Sequence, residues 1–565
     1  MLFYVVAFIV LLGPLVFVHE FGHFIFAKLF KVRVDTFSMG FGPKIFKKKW
    51  GETEYCVSAV PLGGYVKLYG QDPTEAVEPH LRGRALRNLD AWKRFLVFVG
   101  GPLFNFLFAI FVFALMLMVG EPHMAPVIGR VTQGSQAYES GFRSGDTITA
   151  VERQIVTKFS EVDKVIAESQ NKTLTFRVKR PVGDTDKVLV KELKATPQTV
   201  PGMSIYGEPI EEGEIGGLYN VGRYTTIGVT NPNSEAGKAG LKTGDEIVTF
   251  NGKPVKSWEK LMPMVQSALR SGTNKTFVLG IVPHEMAHWS PESRSEAATK
   301  ATTEISLPAK SLDQLGIHSS ELIVAGLVKE SPAQLAGLMA GDRLIAIDGR
   351  TLPSFGDLRE LVQKAGENKG SFELTVERDG KIVKNQVVPT ASSVKDPAGN
   401  EIKQFMIGVY PLFVQAEPEL YVERIFNPFT LTVEAWSRAL DLSGKSLISI
   451  KKLFFREVSM GTLGGPILIG KLAGDSMSRG ISSFLKVMAL ISISLAIFNI
   501  LPVPILDGGH IFLLLVEVVR GRPISVKQTE VIQQVGLSLI VLLLVVVLFN
   551  DITRVGLPAL KQMFQ

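Results

Sequence analysis

Long unbroken apolar runs near both ends of the chain enclose a stretch in which apolar and polar residues alternate in short bursts. Residues 2–18, LFYVVAFIVLLGPLVFV, are apolar throughout, and the trend continues to Phe30 apart from one polar cluster and Lys28. Further runs cover residues 95–119, about 484–501 and about 531–549. Each can cross a hydrocarbon layer of about 30 Å. The pattern therefore predicts a polytopic α-helical membrane protein with about four transmembrane helices. The first run lacks a basic leader and a small-residue cleavage site, so it reads as a span and not as a removable signal.

The middle of the chain repeats itself. GSQAYESGFRSGDTITAVERQIV, NSEAGKAGLKTGDEIVTFNGKPV and SPAQLAGLMAGDRLIAIDGRTL share small residues, a short helix, Gly-Asp and an alternating strand. The glycines of the Gly-Asp pairs, Gly145, Gly244 and Gly341, recur about every 100 residues, too long for a solenoid unit but suited to tandem small domains. Each unit closes on a short glycine-bearing strand, EIGGLY, QLGIHS or MIGVYP. These units resemble PDZ domains with the final strand placed as in the bacterial protease type. The fold expected is thus four spans with an inserted run of tandem PDZ-like α+β domains, at 124–220, 221–319 and 320–412. Such folds take extended peptides, including peptide C-termini, as an added strand. The bland alternative is a set of spacers with occluded grooves.

Flanking segments complete the division: a first transmembrane helix at 1–30, a cytoplasmic-side β-hairpin region at 31–94 and a second helix at 95–119. An amphipathic, membrane-peripheral helical segment follows the insert at 425–475. The third helix is expected at 484–515 and the fourth at 531–549.

Composition sharpens this picture only in places. The single cysteine among 565 residues, Cys56, excludes an intramolecular disulfide and a thiolate metal cluster. The net charge of +7 is concentrated in the segments beside the apolar runs, Lys28 to Lys49, Arg82 to Arg94, and Arg520 to Lys527. Basic residues beside spans mark the cytoplasmic face, so nucleic acid is not an expected partner. The termini and the repeats are then extracytoplasmic, as in a multi-pass protein of a bacterial inner membrane.

The chemistry lies in that polar cluster. FVHEFGHFIF contains H-E-x-x-H, which on a helix puts His19 and His23 on one face a turn apart, able to share one zinc ion. Glu20 can accept the proton of an activated water. Ionisable groups are costly within a bilayer and normally mark function there. A second copy, His284 to His288, follows Pro283 at the end of an alternating strand and precedes a polar run, so its histidines have no helix to bring them together. The third ligand should come from NILPVPILDGGH at the end of the third span, with Asp507 and His510 as rivals. TEYCVSAVPLGGYVKLYG reads as strands of a hairpin around a Pro-Leu-Gly-Gly bend. Its edge can hold an extended substrate, with Gly63, Gly64 and Tyr65 as candidate contacts.

HEFGH in a first span, GGPLFNF opening a second, PDZ-like inserts and NILPVPILDGGH in a third together resemble the site-2 protease family of intramembrane zinc metalloproteases, in its regulator-of-sigma-E branch. The resemblance implies Zn2+ as cofactor, Asp507 as third ligand and Asn499 beside the substrate backbone. It implies single-span membrane-protein substrates such as anti-sigma factors already trimmed outside the membrane, and signal-peptide remnants. That branch carries two PDZ domains where this chain shows three repeats, which bears on gating and not on chemistry. The rival functions are an inactive membrane-tethered PDZ scaffold and a metal transporter, neither of which needs Glu20.

Overall fold

The computed structural model describes residues 2–71, 76–182, 185–204, 208–272, 275–283, 303–368, 370–395, 401–412, 415–416, 418–455 and 464–553. The chain divides into two compact units, His123–Tyr421 and the two flanks together, Met1–Pro122 with Val422–Gln565.

Among the described residues of the flanking unit, four helices are long and apolar enough to cross a membrane: Leu2–Leu29, Ala91–Val119, Ile481–Ile500 and Val526–Asp551. The protein is a polytopic helical membrane protein with PDZ-like domains. Its first three spans share a core built from Leu11, Leu15, Val112, Phe113, Met116, Met488 and Ile493. Close packing of spans needs small residues where backbones meet. Gly22 supplies one such point, since a Cβ there would overlap the carbonyl of Gly100 in the second span.

The third apolar segment departs from the expected continuous helix over 484–515. It stops at Ile500 and restarts at Asp507, running to Arg520. Pro502 and Pro504 cause the break, because each lacks an N–H and disfavours helical geometry in the residue before it. Between them and the new helix, Ile505 adopts φ +83°, costly for a β-branched residue. The amphipathic segment forms two helices, Pro428–Phe454 and Pro466–Ser478. Buried Asp551, at the end of the fourth span, accepts N–H bonds from Gly465, Ile467 and Leu468 at 2.9–3.1 Å, capping the second of them.

The hairpin region is also differently paired from its sequence reading. Its turn lies at Gly51 and Glu52, between strands Val34–Trp50 and Thr53–Leu68, and not at Pro61–Gly64. The two halves of the second strand do not pair with each other. Met39 stands opposite both Gly64 and Val57, and Phe37 opposite both Val66 and Tyr55, so the first strand is inserted between them. The Pro-Leu-Gly-Gly bend folds Gly64–Leu68 back as an edge segment. At the turn, Glu52 accepts from Arg84 at 2.6 Å and Lys28 at 2.9 Å, and these cations hold its carboxyl down at about 2. The hairpin is thereby pinned to the C-terminal end of the first span.

The unit His123–Tyr421 repeats one plan three times. Its four-stranded antiparallel sheets run 154–155, 147–151, 174–182, 185–195; then 253–254, 246–250, 276–282, 303–308; then 350–351, 343–347, 372–378, 381–387. In each, a serine caps a four-residue helix: Ser135, Ser234 and Ser331. The Gly-Asp pair has a common structural reason. Gly145, Gly244 and Gly341 have φ of +87°, +101° and +93°, and each following aspartate, buried, accepts an N–H from three residues upstream. In the first and third repeats a strand arginine, Arg180 or Arg378, pairs with that aspartate at 2.6 Å. Between repeats, Glu321 accepts from Arg130 at 2.9 Å and Arg223 at 3.1 Å, joining all three through buried charge.

Candidate active site

His19 and His23 project from the first span on one face, as the i, i+4 spacing requires. Their Nε2 atoms are 3.3 Å apart. The restarted helix delivers the Asp507 carboxylate to the same point, one oxygen 3.3 Å from His19 Nε2 and the other 3.4 Å from His23 Nε2. Each donor in this triangle can ligate a cation. Zinc binds nitrogen and oxygen at about 2.0–2.1 Å, and the edge of a tetrahedron of that radius is about 3.3–3.4 Å. The two imidazole nitrogens are spaced as two corners of such a tetrahedron, and the carboxylate straddles them with one oxygen at that distance from each, a donor set that suits zinc.

Tautomer geometry fits as well. His23 Nδ1 lies 2.8 Å from the carbonyl oxygen of Val97. A carbonyl only accepts, so the proton sits on Nδ1 and the Nε2 lone pair faces the triangle. The second span passes close behind: a Cβ on Gly101 would fall within 2.8 Å of both imidazoles, so only glycine admits the rings there.

Glu20 takes its place through the hairpin. A Cβ on Gly64 would approach the Glu20 Cγ to 3.0 Å. The edge segment Gly64–Leu68 thus lies directly against the first span. A cavity of about 590 Å³ is bounded by His19, Glu20, His23, Asn499 and Asp507, and Gly63, Gly64 and Tyr65 from the hairpin line it too. All of the site residues read from the sequence meet here.

His510, the rival ligand, lines the cavity but stands outside the donor triangle, its ring stacked on Phe98 at 5.2 Å between centroids. The second H-E-x-x-H motif, His284 to His288, lies outside the described residues; the preceding strand ends at Val282. Sequence reasoning missed Asn105, whose side chain contacts His19 at 3.3 Å, and the Val97 carbonyl. A lone asparagine in an otherwise apolar span was the available signal for the first; a backbone group leaves none.

A helical membrane unit with a partly buried His-Glu-His-Asp constellation lining a cavity defines a membrane metallohydrolase class. The chain belongs to peptidase family M50, whose model matches residues 7–543. It is 28% identical over 97% of its length to the regulator of sigma-E protease RseP of Escherichia coli, covering 98% of that protein. Protease RseP of Yersinia pestis matches equally, at 28% over 97% of this chain and 98% of the relative. A Vibrio cholerae protein assigned as a zinc metalloprotease is 30% identical, again over 97% and 98%.

Proposed function

We propose that this metalloprotease is an intramembrane zinc endopeptidase that cleaves transmembrane segments of single-span membrane proteins already shortened outside the membrane. The observation that carries the reading is the donor triangle, sized for zinc, with a carboxylate beside it and an extended strand edge along the same cavity. His19, His23 and Asp507 would hold the ion. Zinc bound there supplies a Lewis acid and lowers the pKa of water to about 7.

The protein's own groups do the rest. Glu20 takes the proton of the attacking water on its carboxylate and returns it to the leaving amine nitrogen. The close approach of Gly64 to the Glu20 Cγ packs the side chain against the cavity that it lines. A helical substrate protects its own amides, so cleavage requires a locally extended chain. The edge segment at Gly64 and Tyr65 offers strand pairing for that conformation. The Asn499 side-chain amide, which also lines the cavity, donates to the substrate backbone and to charge developing on its carbonyl oxygen.

The repeats act as a size filter. They are inserted between the second and third spans, and the basic flanks of the spans favour an extracytoplasmic placement for them. Two features favour exclusion over capture of a peptide C-terminus. In the third repeat an extra hairpin packs on the groove helix, with Phe405 against Gly366 and its N–H donating to Gln363 at 2.9 Å. In the second, the segment before Gly316 is a capped four-residue helix, Leu312–Leu315, whose amides are used internally: Gln314 N–H donates to Ser311 Oγ, and Ile317 N–H to the Leu312 carbonyl. Discrimination by clash needs no sequence recognition. Replacing residues 124–412 by a flexible linker should gain cleavage of a substrate with a bulky outer domain and keep cleavage of a short one. A linker variant that binds zinc yet loses the short substrate would show that the repeats capture and do not filter. Anti-sigma factors and signal-peptide remnants are the substrate classes the family suggests.

A further inference from the structure

The two histidines are held behind the metal position by different kinds of group. His23 faces a backbone carbonyl, which fixes its proton on Nδ1. His19 Nδ1 faces the side-chain amide of Asn105 at 3.3 Å, and that amide carries both a donor and an acceptor. Asn105 is fully buried, a lone amide in the apolar second span. It is fixed in place from the third span, where Ser492 Oγ donates to its backbone oxygen at 2.7 Å.

With the amide nitrogen toward His19, Nδ1 accepts and the ring proton sits on Nε2, where it points at Asp507. That arrangement suits the metal-free site. A histidine that ligates through Nε2 must instead carry its proton on Nδ1, which would then confront an NH2 group. The conflict disappears when the amide turns over, placing its oxygen toward Nδ1. The turn breaks no hydrogen bond of the buried Oδ1, which has no partner among the described residues; its cost is the burial of the NH2 group there, which the Nδ1–H bond to the oxygen offsets.

We propose that Asn105 is a positioning residue for metal binding: its side-chain carbonyl accepts the Nδ1 proton of His19, and its amide orientation switches with the metal. The inference rests on the zinc reading above. In the loaded state, the ring of His19 is oriented as that of His23 is by Val97, and its basicity as a ligand is raised. The NH2 group then occupies the former Oδ1 position, at the wall of the cavity that Asn105 helps to line. Outer partners of this kind are worth about 10–100-fold in metal affinity.

The test is zinc transfer from the purified full-length protein to a chromophoric chelator, measured for wild type, Asn105→Leu and Asn105→Asp. Leucine keeps the shape without an acceptor, and aspartate keeps only acceptors. The expected result is that Asn105→Leu releases zinc about 10–100-fold more readily, while Asn105→Asp stays within about threefold of wild type. A role in packing alone would leave all three proteins alike, because the three side chains share one shape. Asn105→Leu holding zinc as wild type does, or Asn105→Asp losing it as leucine does, would overturn the inference while leaving the zinc reading intact. Where the leucine variant does not fold, Asn105→Asp decides alone, because it must retain zinc. Wild-type protein that binds no zinc would overturn both.

Discussion

Glu20→Gln leaves zinc bound and removes cleavage, with an expected loss in turnover on the order of 10²–10⁴-fold, the usual contribution of a positioned general base. Glutamine is nearly isosteric, so its packing against Gly64 of the edge segment is unchanged. The edge segment therefore stays in place, and so do His19, His23 and Asp507. What is lost is the capacity to take a proton. Cleavage assays on the detergent-purified variant, with zinc content measured on the same sample, separate the two effects. Activity within a few-fold of wild type would remove Glu20 from its role. Loss of zinc together with activity would make Glu20 part of the metal site's scaffold instead.

Asp507→Asn should strip zinc far more than His510→Ala does. Asp507 closes the donor triangle at 3.3 and 3.4 Å, and its negative charge offsets the cation that two neutral imidazoles alone would leave uncompensated. Asparagine keeps an oxygen there but not the charge. The expected affinity loss exceeds the roughly 10–100-fold typical of a missing outer partner. His510 instead stacks on Phe98, so its truncation removes a wall of the cavity and leaves the donors intact. Elemental analysis of both variants after identical purification reads the difference. The opposite order would assign the third position to His510.

How far the site could be read from sequence depends on how local each part is. His19, Glu20 and His23 follow from helical periodicity within five residues, so their convergence was legible at once. Asp507 was visible as an expensive charge in an apolar run, yet its choice over His510 depended on where a helix begins. The prolines at 502 and 504 fix that start, putting Asp507 on the first residue of the new helix and His510 nearly a turn further on, against Phe98. The hairpin shows the limit more plainly. Alternation around Val60 revealed strands, but not that Val34–Met39 would slip between their two halves, because pairing partners lie outside any local window. Asn105 belongs to the same class: its meaning comes from a residue on another span.

The repeats were legible for the converse reason. Their glycine turns, serine caps and aspartate bonds are made within a few residues, so each copy states its own fold. The hairpin that packs Phe405 on Gly366 is an addition to that plan, and its effect on the groove could be seen only in three dimensions.

The central claim is zinc-dependent hydrolysis of a peptide bond inside a bilayer. Full-length protein reconstituted in liposomes with a single-span substrate carrying a short outer segment tests it directly. The account predicts a product cut within the transmembrane segment, lost when zinc is removed by chelation and restored by one equivalent of zinc. Cleavage that survives complete zinc removal, or that falls only outside the membrane-spanning segment, would contradict it.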